Sequence, residues 1–140
     1  MATKSVKSIL LLGLFLFISS MSFGQVLKFK TIEVATSQEL EDGSWSDWSD
    51  AEKVSQSVVF DFGKGTITIF SNPKDVYDIV EPEAEIKDED GDQFFPYICE
   101  DDEGDSCRVL LSVLHSQGGK PMLTIEYGDV MILYNMTYDE

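Results

Sequence analysis

After residue 25 the chain alternates apolar and polar positions with a period of two over one short stretch after another, the pattern of half-buried strands. No stretch carries a convincing 3.6-residue period. A first strand is expected over Val26–Thr36. Leu27 and Phe29 share one face and Ile32 and Val34 the other, so a bulge near Lys30-Thr31 is expected to reconcile them. Residues 37–53 are polar and rich in Ser and Asp, and read as a long loop or irregular edge holding Trp45 and Trp48. A hairpin comes next. With Lys64-Gly65 as a two-residue loop, Phe62 faces Ile67 and Phe60 faces Ile69 on one buried face.

Asn72-Pro73 marks the next turn. Further strands are expected over Val76–Glu81, Ala84–Lys87, Gln93–Cys99, Cys107–His115, Pro121–Tyr127 and Val130–Met136, with an acidic turn at residues 88–92. If Gly128-Asp129 is a two-residue loop, Leu123, Ile125 and Tyr127 align with Tyr134, Ile132 and Val130. Seven to nine strands joined by short connections form an antiparallel meander. The expected fold is all-β, a meander closing into a small lipocalin-like barrel, with a two-sheet β-sandwich as the alternative.

Residues 1–24 differ from the rest. Lys4 and Lys7 precede an apolar run from Ile9 to Ile18, and Ser22 and Gly24 supply small side chains before Gln25. That order is the layout of a cleaved secretory signal peptide; the run is shorter than the ~20 residues a spanning helix needs. The expectation is a signal peptide over 1–24 and a single β domain over 25–140, secreted or periplasmic and with no membrane attachment after cleavage.

Composition narrows the functional classes. All 26 acids come after residue 24 while two of the ten bases precede it, so residues 25–140 carry a formal net charge of −18. Such a charge opposes nucleic acid and anionic lipid as partners. The two cysteines, Cys99 and Cys107, are expected to pair as a disulfide in an exported chain. Facing each other across a hairpin, they set Tyr97 opposite Val109, Phe95 opposite Leu111 and Gln93 opposite Val113, and closing so short a loop contributes ~2–3 kcal/mol. The single histidine, His115, excludes a multi-histidine metal centre and reads as an ordinary strand residue.

Asp88, Asp90 and Asp92 alternate, but Gly91 stands fourth and Cys99 twelfth, against the sixth-position glycine and late glutamate of a calcium loop. Residues 100–105 fail in the same way, and the strand between the two turns separates them by more than ~20 Å. No metal site and no cofactor are expected. Catalytic spacings are absent as well, which favours a non-enzyme.

Two features point to binding. Residues 93–115 carry large apolar groups on both faces, with Phe95, Tyr97, Val109, Leu111 and Val113 on one and Phe94, Ile98, Leu110 and Leu114 on the other. A half-exposed hairpin would show one polar face. The second face calls for a cover: the Trp45–Trp48 segment, a partner chain or a ligand. Trp45 and Trp48 are themselves candidate binding residues, because indoles anchor protein partners and pack on apolar ligands. The sequence Trp45-Ser46-Asp47-Trp48-Ser49 matches the Trp-Ser-x-Trp-Ser box of class I cytokine receptors, but that box stacks with arginines and this chain has only Arg108.

The ordering of Trp-Ser-Asp-Trp (45–48), Thr-Ile-Thr-Ile-Phe-Ser (66–71), Val-Tyr-Asp-Ile-Val (76–80), Asp-Glu-Asp-Gly-Asp (88–92) and Cys99…Cys107-Arg108 resembles small secreted all-β proteins of Bacteroidota-type Gram-negative bacteria. That resemblance implies export and no assigned activity. The leading expectation is a non-catalytic exported β-domain that binds a protein or surface partner. The alternative is a carrier of a small apolar ligand in a barrel interior, and the third an enzyme inhibitor or small hydrolase.

Overall fold

The computed structural model describes residues 9–11, 14–17 and 25–139, the first two segments by their backbone alone. The strands are β1 (Ile9–Leu11), β2 (Leu14–Phe17), β3 (Val26–Gln38), β4 (Glu52–Lys53), β5 (Ser57–Asp61), β6 (Thr66–Ile69), β7 (Asp75–Pro82), β8 (Ile86–Lys87), β9 (Gln93–Glu100), β10 (Ser106–Leu114), β11 (Lys120–Glu126) and β12 (Val130–Tyr138). One 3-10 turn, His115–Gln117, is the only helical element among the described residues.

The chain divides into two units. Met1–Leu27 with Asp61–Lys64 forms one, and Lys28–Phe60 with Gly65–Glu140 the other. In the first, β1 and β2 pair antiparallel. The expected cleavage region at residues 19–24 lies outside the described residues.

The second unit is built on a closed ring. The order β10-β11-β12-β3-β5-β6-β7-β9 returns to β10 through the β9–β10 pairing, giving an antiparallel barrel of eight strands. Closure excludes the two-sheet sandwich. β4 pairs outside the ring with β3, and β8 with the lower half of β9. Alternation along each strand decides what lies inside. Val58, Phe60, Ile67, Ile69, Val109, Leu123 and Ile125 are fully or almost fully buried on the inward face. The rings of Phe29 and Phe60 meet edge-on at 5.8 Å, and Phe60 reaches Tyr97 at 6.0 Å. Since β5 and β9 are separated around the ring by β6 and β7, the second contact crosses the interior.

Register is set by the turns. Asp101 donates its amide to the Asp105 carbonyl at 2.9 Å and accepts from the Gly104 amide at 3.0 Å, with Gly104 at φ 86°. This is a three-residue loop with a glycine bulge, a geometry that only a residue tolerant of positive φ closes without strain. It sets Cys107 opposite Cys99, Val109 opposite Tyr97, Leu111 opposite Phe95 and Val113 opposite Gln93, as the apolar pattern requires. The Gly128-Asp129 loop likewise has two residues, with Ile125 opposite Ile132 and Leu123 opposite Tyr134.

Four expectations are corrected. β5 ends at Asp61 and β6 starts at Thr66, so their connection holds four residues, Phe62–Gly65, rather than two. The Phe70 amide donates to the Ser57 carbonyl at 2.9 Å, which slides Phe60 opposite Ile67 and Val58 opposite Ile69. The slip is by an even number, so the buried face is unchanged. The bulge in β3 falls at Ile32, between the Asn135–Glu33 and Met136–Thr31 pairs, and leaves Ile32 45% exposed instead of turning it inward. His115 lies in the 3-10 turn after β10, with its Nε2 2.7 Å from the Gln93 Oε1.

The fourth correction is chemical. Cys99 and Cys107 face each other and are buried, but both are free thiols. Asp101 and Asp105 form a hydrogen-bonded pair, so by alternation Cys99 and Cys107 do too. Such pairs hold their Cβ atoms near the wide end of the ~4.5–5.5 Å cross-strand range, whereas a disulfide wants ~3.8 Å. Burial, with Cys107 and Asp78 nearby, pushes the Cys99 thiol up to about 12, far from a reactive thiolate.

Candidate functional site

Between β3 and β5 the chain runs back along the upper half of β3 without becoming a regular strand. Leu40 and Ser44 close a three-residue loop: the Leu40 amide donates to the Ser44 carbonyl at 2.7 Å, and Gly43, at φ 85°, donates to the Leu40 carbonyl. The Asp42 carboxylate accepts from both the amide and the hydroxyl of Ser44, at 2.9 and 2.6 Å. The Ser44 hydroxyl and amide hold this carboxyl below its ordinary range. Glu39 and Trp45 then form an isolated bridge.

From Trp45 the chain carries a tandem repeat of three residues, Trp45-Ser46-Asp47 and Trp48-Ser49-Asp50. Each serine docks twice on β3. Ser46 donates its amide to the Gln38 carbonyl at 2.8 Å and accepts from the Gln38 amide on its Oγ at 2.9 Å. Ser49 does the same with Thr36, at 2.8 and 2.9 Å. The hydroxyls stand in for the carbonyls that a regular ladder would present, which is the competition between serine side chains and backbone that keeps such residues out of strands. Ser37 adds a bond from its Oγ to the Ser46 carbonyl at 2.7 Å. Below the repeat, Glu52 and Lys53 pair with Val34 and Glu33 as β4.

Three residues of the repeat thus advance against two of β3, a step of ~6.8 Å along the strand. Trp45 and Trp48 occupy equivalent places in successive units and are 40% and 45% exposed. The opposite edge of the segment is open. No strand pairs with it, and the amides of Asp47, Trp48, Asp50 and Ala51 donate to nothing among the described residues.

The segment therefore does not cover the second apolar face of the β9–β10 hairpin. It lies on β3, which β11 and β12 separate from β10 around the ring. That second face is partly self-buried: Pro96 is buried, Phe94, Ile98 and Leu110 are half-buried, and Ile86 opposite Phe94 is 49% exposed.

The acidic turns lie at opposite ends of β9. Carboxylate oxygens of Asp88, Asp90 and Asp92 lie within 4.8 Å of one another, although their spacing along the chain is not that of a calcium loop. Hydrogen bonds within the loop and to Ser116 fix two of the three carboxylates, Asp88 and Asp92. Asp88 caps the amides of Asp90 and Asp92 at 3.0 Å, and buried Asp92 accepts from the amide and hydroxyl of Ser116 at 2.8 and 2.9 Å. Asp101 repeats the cap with Glu103 and Asp105, and also accepts the Tyr127 phenol at 2.8 Å. The Asp105 amide, with Tyr127 next, holds its carboxyl low. Arg108 is engaged by Glu83 at 3.0 Å and Glu126 at 3.5 Å.

One described depression, about 300 Å³, lies on the outer wall against Lys28, Ser57, Val59, Phe70 and Asp139. It is open and mixed in character. No protein-family model, curated protein or solved structure matches the chain.

The sequence reading singled out Trp45 and Trp48 and passed over Ser46 and Ser49, which tie the segment to β3. The available signal was the three-residue repeat, a period that is neither two nor 3.6.

Proposed function

We propose that the chain is exported, loses residues 1–24, and works without catalysis by holding a protein partner against the Trp45–Asp50 segment outside the cell or in the periplasm. The observation that carries this reading is the pinning of Ser46 and Ser49 on β3 while the tryptophan between them and the one before them stay exposed. Exposed indoles on a mobile loop would lose ordering entropy on docking; indoles on a segment already tied to the barrel lose less, which is how aromatic anchors concentrate binding energy. The resemblance to exported Bacteroidota-type proteins and the charge of residues 25–140 agree with a surface role away from nucleic acid and lipid.

Carriage of a small apolar ligand inside the barrel has less support, because Phe29, Phe60 and Tyr97 meet across the interior and fill part of it. The test is quantitative co-purification from the native host. Wild type and a Thr137→Ala control should enrich the same protein, and the Trp45→Ala/Trp48→Ala variant should lose it. Equal recovery by all three would reject the segment as the binding site.

A further inference from the structure

Resting on that reading, we infer that the partner segment is an extended, arginine-bearing basic peptide that adds as a strand to the open edge of residues 45–51 and sets a guanidinium between the two indoles. Three observations converge on this occupant.

The first is the edge. Asp47, Trp48, Asp50 and Ala51 carry amides that bond to nothing among the described residues, on a segment tied to β3 through Ser46 and Ser49. An exposed edge of this kind is completed by an incoming strand, whose backbone supplies the missing acceptors.

The second is the step. Equivalent positions of the repeat are ~6.8 Å apart along β3. Contact distance between flat carbon surfaces is ~3.5 Å, so two indoles turned face to face at that step would admit one planar layer between them. Guanidinium is planar, weakly hydrated and stacks on aromatic faces; an ammonium is compact and strongly hydrated. The chain's own Arg108 does not fill the step, being held by Glu83 and Glu126 elsewhere on the barrel.

The third is charge. In an up-and-down barrel, connections alternate between ends, which gathers the 39–44, 70–74, 101–105 and 127–129 loops at one end. Glu39, Glu41, Asp42, Asp101, Asp102 and Glu103 stand there, and Asp47 and Asp50 line the edge itself. A second copy of this chain would bring the same acids against these, and like charges facing across paired strands are repelled. A basic strand is steered in and neutralises them.

The two tryptophans are the only ones in the chain, so intrinsic indole fluorescence reports this site directly. Protein purified from its host is titrated with end-blocked eight-residue peptides alternating threonine with arginine, lysine or glutamate, at ~0.15 M salt, where exposed charges are screened beyond ~8 Å. The arginine peptide should change the emission saturably and bind at least ~3-fold more tightly than the lysine peptide, and the glutamate peptide should not bind. Trp48→Ala should abolish the arginine preference, Trp48→Phe should retain part of it, and Asp47→Asn/Asp50→Asn should weaken both basic peptides. Bound arginine peptide should slow hydrogen exchange at the Asp47, Trp48, Asp50 and Ala51 amides.

Equal affinity for arginine and lysine with no protection of those amides would overturn the inference, reducing the site to an acidic surface. So would concentration-dependent dimerisation that Trp48→Ala removes, which would make a second copy the occupant. If no peptide binds while co-purification still depends on Trp45 and Trp48, this inference fails and the proposed function stands. If that dependence is also lost, both fail.

Discussion

The β9–β10 hairpin and the segment from Leu40 to Lys53 begin with the same device, a three-residue loop closed by a glycine at positive φ, Gly104 in one and Gly43 in the other. They then diverge. Out of the 101–105 loop, alternating residues put Cys99, Cys107, Val109 and Leu111 inside the barrel, and β10 pairs on both edges, with β9 and β11. Out of the 40–44 loop, the polar tandem repeat pairs on one edge only, through serine hydroxyls, and keeps its large apolar groups outside. Similar turns thus launch either a structural strand or an accessible one, and the side chains beyond the turn decide which. Burial on one face makes the first, and replacement of backbone acceptors by serine makes the second.

The largest effect expected from testing this contrast is in the core. Phe60→Ala removes a fully buried ring that touches both Phe29 and Tyr97, and should cost ~3–5 kcal/mol of unfolding free energy in a urea titration. If it costs no more than a tryptophan substitution, the interior is not packed as described.

Alkaline pH should come next, and it should act on the hairpin and on β7 beside it rather than on the segment. Burial raises the Cys99 thiol to about 12 and lifts the Tyr97 and Tyr77 phenols above their ordinary 10.0. In the unfolded chain these groups lose their protons near 9 and 10, while the folded chain retains them. The unfolded state then binds fewer protons, so stability falls as pH rises past about 9 and goes on falling toward the folded values. Urea midpoints at about pH 8 and about pH 10.5 measure this; an unchanged midpoint would mean that these groups are hydrated. Trp45→Ala/Trp48→Ala should leave the pH dependence as it is.

Smaller effects belong to the segment. Ser46→Ala and Ser49→Ala each delete an acceptor for a β3 amide, Gln38 and Thr36 respectively, at ~1 kcal/mol. Hydrogen exchange should speed up at those two amides first, with Val109 and Ile125 unaffected. Smallest of all, Trp45→Ala/Trp48→Ala should move global stability by no more than ~0.5 kcal/mol, as for exposed positions without structural duty. A larger loss would make the indoles part of the fold and undercut their role in docking.

How much of the structure is legible in the sequence depends on period. Where it is two, registers come out residue by residue: Cys99 opposite Cys107 and Ile125 opposite Ile132 result from matching apolar partners around a short loop. Loop length is less legible. A slip of two residues preserves the buried face, so the alternation of Val58, Phe60, Ile67 and Ile69 cannot tell a two-residue connection from a four-residue one. The cysteine pairing shows a different limit. Opposition can be read from sequence, but bonding depends on which half of the ladder alternation the pair occupies, and that is set by the hydrogen bonds of the Asp101–Asp105 turn. The segment at 45–50 is legible as a composition and not as a structure, because its order comes from side-chain hydroxyls reading β3 at three residues against two.

Everything proposed for this protein turns on whether a partner sits on that segment in the native host. A photo-crosslinking amino acid placed at position 48, with position 137 as the control, settles it there. One discrete protein adduct from position 48 and none from 137 is the predicted result. Adducts from both positions, or from neither, would contradict it.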